Sequence, residues 1–179
     1  MLQRLFKPRP AAQAGRALFK ALSAQARHPI FYERLAVADT VEGRFELYVL
    51  HLVLVLHRLK GQGVQAAETS QSVFDTFLRN LDEGLRDMGV GDLSVGKKMR
   101  KLGEAVYGRI KSYDRAFADA DQVGALQALI ARTVYQDRPD ATSAKLLAVY
   151  AAAVVGRLAA EPLDDVLQAR LDWPEAPLD

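Results

Sequence analysis

The stretch GVGDLSVGKKMRKLGEAVYGR, residues 89–109, holds the residues whose types and spacing could do chemistry. Two glycines flank a valine, an aspartate follows, and then four of the five positions 97–101 are basic. Glycines ahead of a lysine-rich segment can cradle phosphate. Here the spacing departs from G-x-x-x-x-G-K-[ST], no strand precedes it, and Asp92 would repel an anion from the turn. The alternative is a helix-reversing turn: Gly89 ends one helix, Gly91 turns the chain, and Asp92 or Ser94 caps the next.

Other catalytic signatures are missing from the sequence. There is no H-E-x-x-H and no serine nucleophile motif. The carboxylate pairs Asp82–Glu83 and Asp164–Asp165 are adjacent, so they diverge on a helix. Of the three histidines, His51 and His57 are six apart and do not share a helical face, which argues against a metal centre. With no cysteine, disulfide and thiolate chemistry is excluded. The reading is a non-enzyme with no metal and no cofactor.

The segment that follows the turn has two sides. At about 100° per residue, Val95, Met99, Leu102, Val106, Ile110, Tyr113 and Phe117 form one narrow stripe that must face a core. Lys97, Arg100, Lys101, Lys111 and Arg115 lie opposite, interrupted by Glu104, while Lys98 and Arg109 flank the stripe. Over residues 94–115 seven basic residues stand against two acidic ones, a net +5. Gly96 and Gly103 share one side. Glycine costs about 1 kcal/mol against alanine inside a helix, so the pair predicts that a neighbouring backbone comes close there. The candidate partner-binding residues are Asp92, Lys97, Lys98, Arg100, Lys101, Gly103, Arg109 and Lys111.

The elements that must position this face are helical throughout. The 179 residues, half of them hydrophobic, suffice for one domain with a real core. Residues 41–60 are apolar on every side from Leu47 to Leu56, as in a helix surrounded by others. Val73, Phe74, Phe77, Leu78, Leu81 and Leu85 give the next helix a 3–4 stripe, with Thr69 or Ser70 as its expected cap. Further helices are predicted at 11–26, 28–37, about 95–118, 121–135, 142–160 and 162–170. The class is all-α: a single-domain bundle of about seven helices with a long central buried helix. Residues 1–10 read as a basic tail, 11–171 as the helical domain and 172–179 as an acidic tail.

Charge is unevenly spread along the chain. Residues 1–34 carry a net +6 and residues 161–179 a net −5, within a total of only +2. This polarity suits a molecule oriented toward something anionic. Leu2, Leu5 and Phe6 beside Arg4, Lys7 and Arg9 could lie in a membrane interface before Pro8 interrupts them. No secretory signal is expected. The apolar runs 47–56 and 146–156 fall short of the roughly 20 residues that span a bilayer.

The block LRDMGVGDLSVGKKMRKLGEAVYGR (85–109) resembles the ubiquinol–cytochrome c chaperone family. The matching positions are Leu85-Arg86, Gly89-Val90-Gly91-Asp92, Val95, Lys97, Met99, Gly103-Glu104 and Tyr107-Gly108-Arg109. HPIFY (28–32) fits the bacterial branch, and the likeness extends in pattern from about 30 to 160. Members often carry proline where Gly96 stands. The resemblance implies a non-catalytic assembly chaperone that binds newly made cytochrome b during biogenesis of the ubiquinol–cytochrome c reductase complex. It implies a possible small partner protein, and a ribosome or anionic membrane surface nearby, but no DNA. It also implies a cytoplasmic place at the inner face of the membrane, or the matrix side in a eukaryote. The other class left open is a peripheral membrane- or RNA-binding helical module acting mainly through its basic face.

Overall fold

The computed structural model describes residues 10–136 and 141–177. The patterns Leu2–Arg9 therefore lie outside the described residues. Among the described residues the chain is all-α, with eight helices: α1 Pro10–Ala26, α2 Ile30–Glu33, α3 Val41–Leu59, α4 Val64–Asp87, α5 Asp92–Phe117, α6 Gln122–Thr133, α7 Ala141–Ala160 and α8 Leu163–Leu167.

Helix α3 is the axis of the bundle. Every residue from Val49 to Val55 is buried, so all faces of the helix are covered along almost two turns. It packs against α1, α4, α5 and α7. Thr40 starts it by accepting a hydrogen bond from the Gly43 amide at 3.2 Å. Gly43 is required there: a Cβ would sit 2.0 Å from the Ala38 carbonyl oxygen.

Helices α1 and α4 run side by side in the same direction, with Gly15 against Ser72 and Phe19 edge-on to Phe77 at 6.5 Å between centroids. A Cβ on Gly15 would lie 2.3 Å from Ser72 Oγ, so the close approach needs glycine. The predicted cap of α4 is corrected. The helix begins at Val64 after the left-handed Gly63 (φ 93°), and Thr69 is buried five residues inside it. The sequence lacks a capping side chain at residue 63, and the helical stripe is blurred in 64–72 by polar residues.

Two polar centres tie distant segments to the core. His51 of α3 is fully buried and meets the Leu47 carbonyl through Nδ1 at 2.8 Å and the Tyr150 hydroxyl of α7 through Nε2 at 3.0 Å. A carbonyl only accepts, so Nδ1 carries the proton and Nε2 accepts from Tyr150. The Tyr150 oxygen in turn accepts from Gln25 of α1 at 3.0 Å. Trp173 closes over His51, ring to ring at 5.6 Å, and Ala176 is buried. Asp172 pairs with Arg157 at 2.9 Å. Residues 172–177 are therefore docked on the helices rather than hanging free. Charge composition alone hid this, because one tryptophan outweighs the acidic residues around it.

Helix α7 as a whole, 20 residues long, has the length and composition to cross a membrane, which its eleven-residue apolar run does not. Its inner side, from Ala144 through Tyr150 to Leu158, is buried, and it packs against α3 and α6. The second polar centre is at its end. Arg58 of α3 donates to the Leu158 and Glu161 carbonyls at 2.6 and 2.9 Å, satisfying carbonyls that the end of α7 leaves open.

Candidate partner-binding face

The α4–α5 turn fixes the direction of the basic helix. Gly89 takes φ 80°, Val90 N–H donates to the Leu85 carbonyl at 3.0 Å and Gly89 N–H to the Arg86 carbonyl at 2.9 Å. This is the double bond pattern of a Schellman close, which a left-handed glycine permits. The turn is thus structural, as the spacing indicated. The expected side-chain cap is corrected: Gly91 occupies the N-cap, and neither Asp92 nor Ser94 caps the helix. Asp92 is the first helical residue instead. Its carboxylate pairs with Arg86, which also holds Asp82 at 2.7 Å, and its charge favours the positive helix start. Asp92 therefore pins the turn.

In α5 the predicted stripe faces inward. Val95, Val106, Tyr113 and Phe117 are buried, and Met99, Leu102 and Ile110 are half-buried. Lys97, Lys98, Arg100, Lys101 and Lys111 are exposed. Among the described residues none of these five makes an ion pair or a side-chain hydrogen bond. Several basic side chains elsewhere are engaged, as in Lys60–Asp114 at 2.8 Å and Arg170–Asp165.

Two of the expected site residues have other duties. Arg109 turns inward and donates to the Glu46 carboxylate of α3 through Nε and Nη2, at 2.9 and 2.7 Å. Glu46 is only 7% exposed, and its hydrogen bonds hold the Arg109 guanidinium above its ordinary pKa despite partial burial. A two-pronged, half-buried pair of this kind fixes α5 on α3. Gly103 also departs from expectation. Nothing lies within 4 Å of where its Cβ, or that of Gly96, would be. The close approaches are at Gly15 and Gly43 instead. Gly103→Ala should therefore stabilise the protein by up to about 1 kcal/mol, as alanine replaces glycine in a helix. For a chain of this size that is a rise of about 2–4 °C in melting temperature. A fall measured by thermal denaturation would restore the close-approach reading.

On the stripe side of α5, by Leu102, opens a groove of about 500 Å³. Its walls come from four helices: Phe19 of α1, Phe45 of α3, Leu81 and Leu85 of α4 with Met88 just beyond it, and Leu102 of α5. Val41 (61% exposed) and Met88 (57%) stand at its mouth. Sequence reasoning missed this groove, since its walls are far apart along the chain. No sequence pattern marked it: Leu102 belongs to the core stripe, and its partial exposure shows only in the fold. A second hollow of about 420 Å³ lies on the other flank of α5, between Phe74 and Tyr107 on one side and His57 and Lys60 on the other. Asp114 neutralises it internally, bonding Lys60 and lying 3.7 Å from His57 Nδ1.

The profile of the ubiquinol–cytochrome C chaperones matches residues 33–173, which takes in every helix from α3 to α8. The chain belongs to the ubiquinol–cytochrome c chaperone family. The chaperone fold is also that of the Cbp3 homolog from Brucella abortus, known from a crystal structure. The two superpose with a TM-score of 0.85 at 30% identity, over 98% of each chain. A further relative is the ubiquinol-cytochrome-c reductase complex assembly factor 1 of Xenopus laevis, 23% identical over 93 residues. That match takes in 52% of this chaperone and 46% of the frog protein, so the aligned part is just under half the length of the curated relative.

Proposed function

We propose that this chaperone assists assembly of the ubiquinol–cytochrome c reductase complex, without catalysis, by holding its cytochrome b subunit before incorporation. The observation that carries the reading is the apolar groove itself, walled by four helices and edged by the exposed side chains of Val41 and Met88. A membrane subunit outside its complex presents apolar helix surface, which such a groove can cover. The family's description and the name of the frog relative support the assembly role. The place of work would be the membrane surface where the complex is built, on the cytoplasmic side, or the matrix side in a mitochondrion. A small partner protein or the ribosome exit would share that surface.

Of the eight residues read from the sequence, the proposal keeps Lys97, Lys98, Arg100, Lys101 and Lys111 as contacts with an anionic partner, outside the groove. Arg109 and Asp92 become positioning residues for α5. Gly103 has no assigned contact. The groove residues Val41 and Met88 join the site. The test is a photo-crosslinker at Met88 in living cells, with the captured protein identified by mass spectrometry.

A further inference from the structure

The outward side of α5 carries more than charge. Leu93 is wholly exposed (101%) and Tyr107 is 56% exposed, with its ring braced against Phe74 at 5.2 Å between centroids. At 100° per residue, Leu93, Lys97, Arg100, Lys101, Tyr107 and Lys111 fall within about a third of a turn. The two apolar side chains are about 21 Å apart along the helix, with the cations between and beyond them. We propose that this side of α5 lies flat on an anionic phospholipid surface. Leu93 and Tyr107 would enter the headgroup boundary while the lysines and Arg100 meet the lipid phosphates.

Each part of the face suits that partner. An interfacial helix needs an apolar contact and a cationic surround in one plane, and it binds through buried apolar area plus attraction to anionic lipid. Tyrosine is favoured at headgroup depth, where its ring is covered and its hydroxyl stays wet. Nucleic acid would use the cations but gives a leucine standing fully in water nothing to cover it. Glu104, exposed within the face, limits the affinity and keeps the contact reversible. The groove is on the other flank of α5, by Leu102, so it remains open to a client at the same membrane. The inference does not depend on which client the groove takes.

The experiment is flotation of the full-length protein with phosphatidylcholine vesicles, with and without phosphatidylglycerol, and no client present. Binding should require the anionic lipid and fall with salt. Lys97→Gln with Lys101→Gln should weaken it about 30-fold, from about 1 kcal/mol per cation near an anionic surface. Leu93→Gln alone should weaken it about ten-fold, from loss of its apolar contact. Arg4→Gln with Lys7→Gln should leave most of the binding. Three results would overturn the inference: equal binding to neutral vesicles, Leu93→Gln binding like the parent, or loss of binding only in the Arg4/Lys7 variant. Tight binding to ribosomal RNA that ignores Leu93→Gln, with none to vesicles, would assign the face to RNA instead. Because no client is present, a failure here leaves the crosslink from Met88 as an independent test of the chaperone reading.

Discussion

Val106→Asp should leave no folded protein. Val106 is completely buried in the main core, where α5 faces the rest of the bundle. A carboxylate there has neither water nor a cation, and burying an unpaired charge costs at least about 4 kcal/mol. Natural domains hold only about 5–15 kcal/mol in all. The opposite side of the same helix should behave in the reverse way. Lys97→Glu, Lys101→Glu and Lys111→Glu together should hardly move the melting temperature, since exposed substitutions stay within about 0.5 kcal/mol each. Circular dichroism melts of the two variants check both halves. Leu102→Asp should fall between, because Leu102 is half-buried and borders the groove rather than the centre of the core. A stable Val106→Asp protein would mean that α5 is not packed as described.

That contrast shows how far the sequence could be read. The stripe and the cationic side of α5 repeat within one helix, so periodicity alone separated them, and Val106 and Lys97 fell where the pattern put them. The central place of α3 was legible for the same reason: its apolar run through Val49 and Val55 has no polar side to expose. What could not be read depends on pairs far apart in the chain. Arg109 looked like one more surface cation until Glu46, 63 residues earlier, was found beneath it. Gly103 looked like a contact glycine because glycine is costly in a helix, yet the close approaches belong to Gly15 and Gly43, which the pattern did not single out. The groove needs four helices to exist. Trp173 shows its role only beside His51.

His51 gives the second large effect, a loss of stability in acid. Burial pushes its pKa down to about 4, opposed in part by its bond to the Leu47 carbonyl. In the unfolded chain the imidazole titrates near its usual value of about 6.5. Between these values the unfolded state holds a proton that the native state does not. The stabilisation from a neutral His51 is therefore complete above about pH 6.5 and is lost as pH falls toward 4. By about pH 4.5 the loss is roughly 2 to 3 kcal/mol, from the two pKa values and the linkage relation. Protonated Nε2 can no longer accept from Tyr150, so the donor–acceptor order of the contact joining α3, α7 and α1 is lost. His51→Phe keeps an aromatic ring but cannot titrate. Urea melts at about pH 7 and about pH 4.5 should show the parent's advantage over His51→Phe shrinking by that amount. An advantage that stays constant with pH would remove His51 as the acid-sensitive group.

The proposal at the heart of the function is that a subunit of the ubiquinol–cytochrome c reductase complex sits in the groove beside α5. Photo-crosslinking from Met88 in growing cells addresses it at the groove itself, because Met88 stands exposed at the mouth and a label there need not disturb the core. The same label at Lys145, an exposed residue of α7 that does not line the groove, serves as the control. A cytochrome b adduct is expected from Met88, none from Lys145, and a weaker adduct when Lys97, Lys101 and Lys111 are reversed. An adduct from Lys145 but not from Met88, or capture at Met88 of proteins unrelated to the complex, would show that the groove is not the client site.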